Sequence, residues 1–414
     1  MAFNQLGRVI TRGRAFIPEV DGLRFVAIMS VMLFHLSGYV LAKHMTGAAI
    51  QPAELWLPKV FGIGHYGVEL FFVLSGFLLA MPFAKWRLGF APRPSLRSYY
   101  CRRLTRLEPP YIVALALIFG VGVLAHRLGA DVSSWPDLSK WPNLLASLIY
   151  QHNLIYSSGS LITVVVWSLE IEVQFYMLAP LLAIIFSVHQ VVTRRVILLA
   201  ATIAIPLLRS FLPPQFKETF NSLPWHIEWF ITGFLLTDLY VADWKQKPCR
   251  SFAWDGASLI GWPVLITLLL LGRFTVLMAP LVLVAYTGAF RGKISSWVLS
   301  RPLITVIGGM CYSMYLLHYS VISMVGTITK HILIGSSFTA RFALDATIII
   351  PMILIVTVLF FVVLERPCMD PAWPSKIGMQ VRRSENSLTS RRPIMFQHES
   401  VNQEHHSSAE GASD

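Results

Sequence analysis

Charge is what this sequence has least of. Only 14% of its 414 residues are Asp, Glu, Lys or Arg, where a soluble domain carries about 25%. The deficit excludes a water-soluble surface over most of the chain. Acidic side chains are the scarcer kind, 22 against 34 Lys and Arg, for a net charge of +12. The excess does not read as a nucleic-acid footprint, because the basic residues sit in short loops instead of on one continuous face. Cysteine is also rare. Cys101, Cys249, Cys311 and Cys368 match no zinc or CxxC spacing, so neither a metal site nor a disulfide framework is expected. No internal repeat is present.

What fills the chain is apolar. Hydrophobic residues make up 55% and the mean hydropathy is +0.60. They fall in runs of roughly 20 residues, the length that crosses a bilayer as a helix. The expected fold is an all-α polytopic membrane helical bundle of about ten transmembrane helices. The expected spans are 18–40, 66–83, 110–127, 162–186, 195–212, 224–241, 256–272, 274–290, 303–326 and 340–364. The first is no cleaved leader, since it carries Arg24 and His35 and exceeds an h-region in length.

An even number of spans puts both termini on one side. Arg and Lys concentrate in alternate loops, among them Arg97, Arg102, Arg103 and Arg106, and Lys245, Lys247 and Arg250. By the positive-inside rule those loops, and both termini, are cytoplasmic. Residues 1–17 then form a basic cytoplasmic N-terminus, 18–370 the membrane domain and 371–414 a disordered cytoplasmic tail. That tail is polar and lacks apolar periodicity. The longest outer segment, about 128–161, holds Trp135-Pro136 and Trp141-Pro142 and is expected to lie flat at the headgroups.

Ionisable residues inside spans are costly and mark function by default. The first span holds Glu19, Asp21, Arg24 and His35. The second holds Glu69, the fourth Glu170 and Glu172, the ninth His318. Counting helical rise, His35, Glu172 and His318 fall in the outer half at similar depth. Glu19, Asp21, Arg24 and the Arg102/Arg103/Arg106 cluster fall near the inner face. Blander readings stand beside these. In them His35 is a packing histidine, Glu172 a partner neutralising an arginine, and the arginines topology determinants. Glu19 and Asp21 also suit the first turn of a helix.

Several stretches together are similar to the integral membrane acyltransferase type 3 family. They are Pro18-Glu19-Val20-Asp21-Gly22-Leu23-Arg24 with Phe34-His35, and Gly67-Val68-Glu69-Leu70-Phe71-Phe72-Val73-Leu74-Ser75-Gly76-Phe77. Next come Arg102-Arg103-Leu104-Thr105-Arg106 with Pro109, Pro110 and Tyr111, and Trp167-Ser168-Leu169-Glu170-Ile171-Glu172-Val173-Gln174-Phe175-Tyr176. Tyr312-Ser313-Met314-Tyr315-Leu316-Leu317-His318 and Glu365-Arg366-Pro367 complete the order. The resemblance covers about residues 17–370. Position 69 is Glu where that family more often has Asp, and Glu170 adds a carboxylate, so Glu172 is matched to the family's acid.

The resemblance implies O-acylation, usually O-acetylation, of a carbohydrate hydroxyl in a multi-pass cell-membrane enzyme. The donor is a cytoplasmic acyl-CoA, with no permanently bound cofactor and no metal. The acceptor is a cell-envelope glycan, lipopolysaccharide O-antigen, exopolysaccharide or nodulation factor, or alternatively a macrolide or other glycosylated small molecule. Histidine suits a general base near neutral pH, so His35 is expected to take the hydroxyl proton, with Glu172 orienting it. Arg24, Arg102, Arg103 and Arg106 are expected to hold the CoA phosphates. Glu19, Asp21, Glu69, Ser75, Trp167, Ser168, Tyr312, Tyr315 and His318 are expected to line substrate or channel, Ser75 as an acyl relay or as a packing residue beside Gly76. A proton-coupled transporter is the competing reading of another class.

Overall fold

The computed structural model describes residues 16–43, 45, 50–129, 135–213, 222–272, 275–332, 337–370 and 373. The expected N-terminal stretch before 16 and the expected tail, apart from Trp373, lie outside them. Among the described residues the structure is helical, with a single isolated bridge, Ser251 to Gly292.

The helices used below are α1 Pro18–Lys43, α2 Gly67–Arg87, α3 Leu96–Arg127 and α4 Val166–Leu182. They continue with α5 Val191–Ser210, α6 Ile227–Asp238, α7 Phe252–Leu271 and α8 Thr275–Arg291. The last are α9 Pro302–Gly309, α10 Cys311–Thr329 and α11 Phe338–Phe360.

Among the described residues, seven helical runs are long and apolar enough to span a membrane. Each of the ten expected spans has a helix, and seven of these reach that length and hydropathy. The three that fall short do so for visible reasons. The 224–241 span is the 12-residue α6 running into a π turn at Leu239–Asp243. The 274–290 span is the 17-residue α8. The 303–326 span breaks at Met310 into α9 and α10, and α10 carries His318 and several hydroxyls that lower its hydropathy.

Lipid as solvent accounts for the surface. Leu259 is 77% exposed and Val363 67%, positions where water would penalise an apolar side chain. Inside, backbones close on glycine. A Cβ on Gly76 would lie 2.2 Å from Phe230 O, and one on Gly233 2.2 Å from Val73 O. Helices α2 and α6 therefore pack at a separation only these glycines permit, and Thr237 donates to Phe77 O across the contact. Helix α9 meets the start of α1 the same way, with Gly308 against Asp21 O.

Two ionic joints tie the bundle, the first of them buried at Arg194 and Asp238. Arg194, fully buried, gives its Nε to Asp238 at 2.6 Å, while Arg195 reaches Asp238 and Asp243. The wider π turn at Leu239–Asp243 accompanies this joint. Glu19 accepts from Arg250 and Ser296, tying the start of α1 to the short helix Lys293–Leu299.

The segment expected to lie flat does not. Pro136 packs on Gly122, Ser147 O accepts from Tyr111, and Tyr150 stacks on Tyr111 at 4.6 Å. Gly122 and Tyr111 are about 16 Å apart along α3, so the chain folds back along that helix. Tyr150, at its turn, has φ 57°, a conformation a bulky residue adopts only when its surroundings hold it there.

Candidate active site

Helices α3 and α4 present matching faces. Tyr100, Arg103, Leu104, Leu107 and Glu108 face Leu169, Glu172, Val173, Tyr176 and Met177 around a cavity of about 530 Å³. Both sets follow the i, i+3, i+4, i+7 pattern of one helical stripe. Tyr150 and Tyr312 complete the lining, and Tyr312 is fixed by its hydroxyl donating to Leu107 O at 2.9 Å.

Glu172 is the acid of this cavity. It accepts from the Ser75 hydroxyl of α2 and from Tyr176, one turn along its own helix. It also interacts electrostatically with Arg24, Arg103, Tyr312 and Tyr315. Arg103 donates to Tyr99 O and lies over the rings of Tyr99 and Tyr176 at 3.9 and 5.5 Å. The neighbouring carboxylate takes part in a different task. Glu170 accepts from the backbone N–H groups of His152 and Asn153 at 3.2 and 3.0 Å, capping the short helix His152–Tyr156. Two residues apart on a helix is about 200° of rotation, so one carboxylate serves the cavity and the other holds a loop.

A second polar group lies further along α10. His318 is fully buried, and its Nδ1 faces the carbonyl oxygens of Met314 and Tyr315 at 3.0 and 2.9 Å. A carbonyl only accepts, so Nδ1 carries the proton and Nε2 holds a lone pair. That Nε2 is buried and, among the described residues, has no hydrogen-bond partner. The ring of His35 lies 5.2 Å from it, centroid to centroid, with Tyr319 at 5.1 Å from His35. Between this pair and the cavity stands Tyr315, whose hydroxyl donates to Val165 O at 3.0 Å and pairs with Ser168. Tyr312, Tyr315 and His318 thus share one face of α10, and the cavity and the histidines are about 9 Å apart along it.

The three residues expected at one depth are therefore divided. His35 and His318 meet, while among the described residues no hydrogen bond or ion pair joins His35 to Glu172. The cause lies in α4, which begins at Val166 with its first turn bonded to Tyr315, the fifth residue of α10. That sets Glu172 deeper than its count from 162 implied.

The four arginines are dispersed by their partners. Arg24 pairs with Asp21 at 2.8 Å, and Arg106 approaches Glu365 at 4.0 Å. Arg102 bonds Ser98, and Arg103 lines the cavity. Glu69 is buried 3.6 Å from His226, under Trp167, whose ring centroid is 5.5 Å from that histidine.

Several site residues went unmarked in the sequence. Tyr176 was legible, being four residues after Glu172 and so on its face. Tyr150, Glu108, Tyr319 and His226 enter through tertiary packing and carry no local signal.

This is a bundle with an acid, an arginine and a hydroxyl at one cavity and an imidazole pair beyond it, an equipment suited to acyl transfer. The model of an acyltransferase-domain family matches residues 17–366, and the chain belongs to that family. It is a multi-pass cell-membrane protein. Among curated proteins it is similar to the O-acetyltransferase OatA of Staphylococcus aureus strain NCTC 8325, 22% identical over 337 residues, 75% of this chain and 51% of that protein. It is also similar to the peptidoglycan O-acetyltransferase OatA of Listeria monocytogenes, 27% identical over 188 residues, 43% of this chain and 26% of that one. A putative O-acetyltransferase of S. aureus strain COL is 24% identical over 338 residues, 75% of this chain and 51% of its own length. The chain thus spans about half the length of the OatA protein of S. aureus. No solved structure matches it.

Proposed function

We infer that the protein is a membrane O-acetyltransferase that moves an acetyl group from acetyl-CoA to a hydroxyl of a cell-envelope glycan. The observation that carries this reading is the arrangement of Arg103 and Glu172 in one cavity with an imidazole pair about 9 Å further along α10. The names of the relatives support peptidoglycan or a related glycan as acceptor class.

In this reading the thioester arm enters the cavity between α3 and α4. Arg103, with Arg102 and Arg106 on the same helix, meets the phosphates, and the apolar and tyrosine walls exclude water from the thioester. The acceptor hydroxyl loses its proton to the histidine pair. His318 offers the lone pair at Nε2, and His35, partly exposed beside it, is the group the acceptor meets. The distribution of basic loops supports a cytoplasmic side for both termini, and with it an arginine end of the bundle on the side where acyl-CoA is found.

The test is chemical. Purified protein is reconstituted in vesicles with acetyl-CoA and peptidoglycan fragments, and ester formation is followed by mass spectrometry. Acceptor-dependent O-acetyl product supports the reading. Solute uptake without acetyl-CoA, in the absence of ester, replaces it with the transporter.

A further inference from the structure

We propose that Ser75 is a covalent acyl carrier, acylated by the donor with Glu172 as its base and deacylated by the acceptor hydroxyl. This rests on the transferase reading above and adds a catalytic residue and a chemical step to it.

The Ser75 side chain departs from the local pattern that several hydroxyls in these helices follow. A helical Ser or Thr with no other task bonds a carbonyl of its own preceding turn. Ser30 does so with Ala27 O, Thr202 with Leu199 O and Thr347 with Ala343 O. Ser75 instead donates across to the carboxylate of Glu172 on α4. Carboxylate and hydroxyl in direct contact are the arrangement that activates a weak nucleophile.

Another cross-helix pair shows what a purely structural version looks like. Ser313 donates both its N–H and its hydroxyl to Glu365, and both residues are fully buried. Ser75 and Glu172 are both partly exposed, and Glu172 lines the 530 Å³ cavity. The serine is also held in place from behind. Gly76 packs its α-carbon against Phe230 O and Gly233 packs on Val73 O, so the backbone at Ser75 is set by close helix contact.

The placement answers the separation of cavity and imidazoles. Phe71, one turn before Ser75 on α2, meets Tyr315 at 6.2 Å, and His318 lies one turn beyond Tyr315 on α10. Ser75 is therefore bonded to the cavity carboxylate Glu172 and lies one turn from the Phe71–Tyr315 contact, so an ester on it is carried from the cavity toward the side of Tyr315 that the histidines occupy.

The steps balance. The Ser75 oxygen attacks the thioester carbonyl and its proton passes to Glu172. The carbon–sulfur bond breaks, and the CoA thiolate leaves as the thiol with that proton. The acceptor oxygen then attacks the Ser75 ester, its proton going to the histidine pair. The ester bond to Ser75 breaks and the proton returns to the serine oxygen.

The full-length protein in detergent is mixed with labelled acetyl-CoA, rapidly quenched, digested and searched for acetyl on Ser75, while free thiol is read in the same reaction with peptidoglycan fragments. Acetyl on Ser75 in the wild type, accumulating in His35→Ala and lost in Glu172→Gln, is the expected result. Ser75→Ala is expected to lower acceptor-dependent turnover at least about a hundredfold. Ser75→Cys, which keeps a nucleophile, is expected to accept a hydroxylamine-labile acetyl group, and it guards against loss of fold in the alanine variant. Turnover in the wild type with no acetyl on Ser75 in any variant overturns the carrier and leaves the transferase standing. Absence of turnover with every acceptor overturns both.

Discussion

Replacing each carboxylate of the Glu170/Glu172 pair by its amide separates catalysis from architecture. Glu172→Gln keeps the shape and an acceptor oxygen for Ser75 and Tyr176 but removes the base. Losing a general base lowers the rate about 10²–10⁴-fold, or roughly 3–5 kcal/mol of transition-state stabilisation. Glu170→Gln instead weakens two hydrogen bonds from backbone N–H groups at 3.2 and 3.0 Å. Bonds to a charged acceptor contribute about 1.5–3 kcal/mol each and neutral ones about 0.5–1.5, so stability should fall by roughly 1–3 kcal/mol. Turnover should stay within about threefold of wild type. Tyr150, two residues before the capped helix, lines the cavity, so any kinetic effect of Glu170→Gln should enter through KM. Thiol release gives kcat and KM, and thermal unfolding in detergent gives stability. If Glu170→Gln abolished turnover while Glu172→Gln left it intact, the assignment of the two carboxylates would be refuted.

Arg103→Lys removes the planar cation from over Tyr99 and Tyr176, and KM for acetyl-CoA should rise about tenfold with kcat little changed. An unchanged KM would take Arg103 out of donor binding. Gly233→Ala would put a Cβ 2.2 Å from Val73 O and 2.5 Å from Phe77 N. Neither backbone atom can yield, so the α2–α6 contact should lose about 1–3 kcal/mol or more, seen as a lower unfolding midpoint. An unaltered midpoint would show that the two helices are not locked. His318→Asn retains a side-chain donor for the Met314 and Tyr315 carbonyls and deletes the Nε2 lone pair. Turnover should fall at least about a hundredfold with the fold intact, and normal turnover would dismiss His318 as a proton acceptor.

Much of this could be read from residues alone, for physical reasons. Apolar runs announce helices because lipid tolerates few charges, and α1, α8 and α11 fall close to their expected positions, whereas α3 begins fourteen residues before its apolar run. Helical rise counted along the first and ninth spans put His35 and His318 at similar depth, and their contact became visible only in the fold. Depth misled for Glu172 because a helix start was assumed to lie at the membrane face, and α4 starts where Tyr315 captures Val165 O. The arginine set scattered because carboxylates decide where a guanidinium points, a local one, Asp21, for Arg24 and one distant in sequence, Glu365, for Arg106. The return of the 135–161 segment along α3 was invisible, since Tyr111 bonding to Ser147 O is a contact across 36 residues with no local pattern. Ser75 could be read locally only as a small residue beside Gly76, and its partner becomes apparent only once α2 and α4 are side by side.

The measurement closest to the central claim compares wild type and His35→Ala, both purified in detergent, for free-thiol release from acetyl-CoA across a panel of glycan acceptors. The account predicts multiple-turnover release that requires an acceptor in the wild type and falls at least about a hundredfold in His35→Ala while acetyl-CoA binding persists. An intact rate in His35→Ala, or no release by the folded wild type with any acceptor, would contradict it.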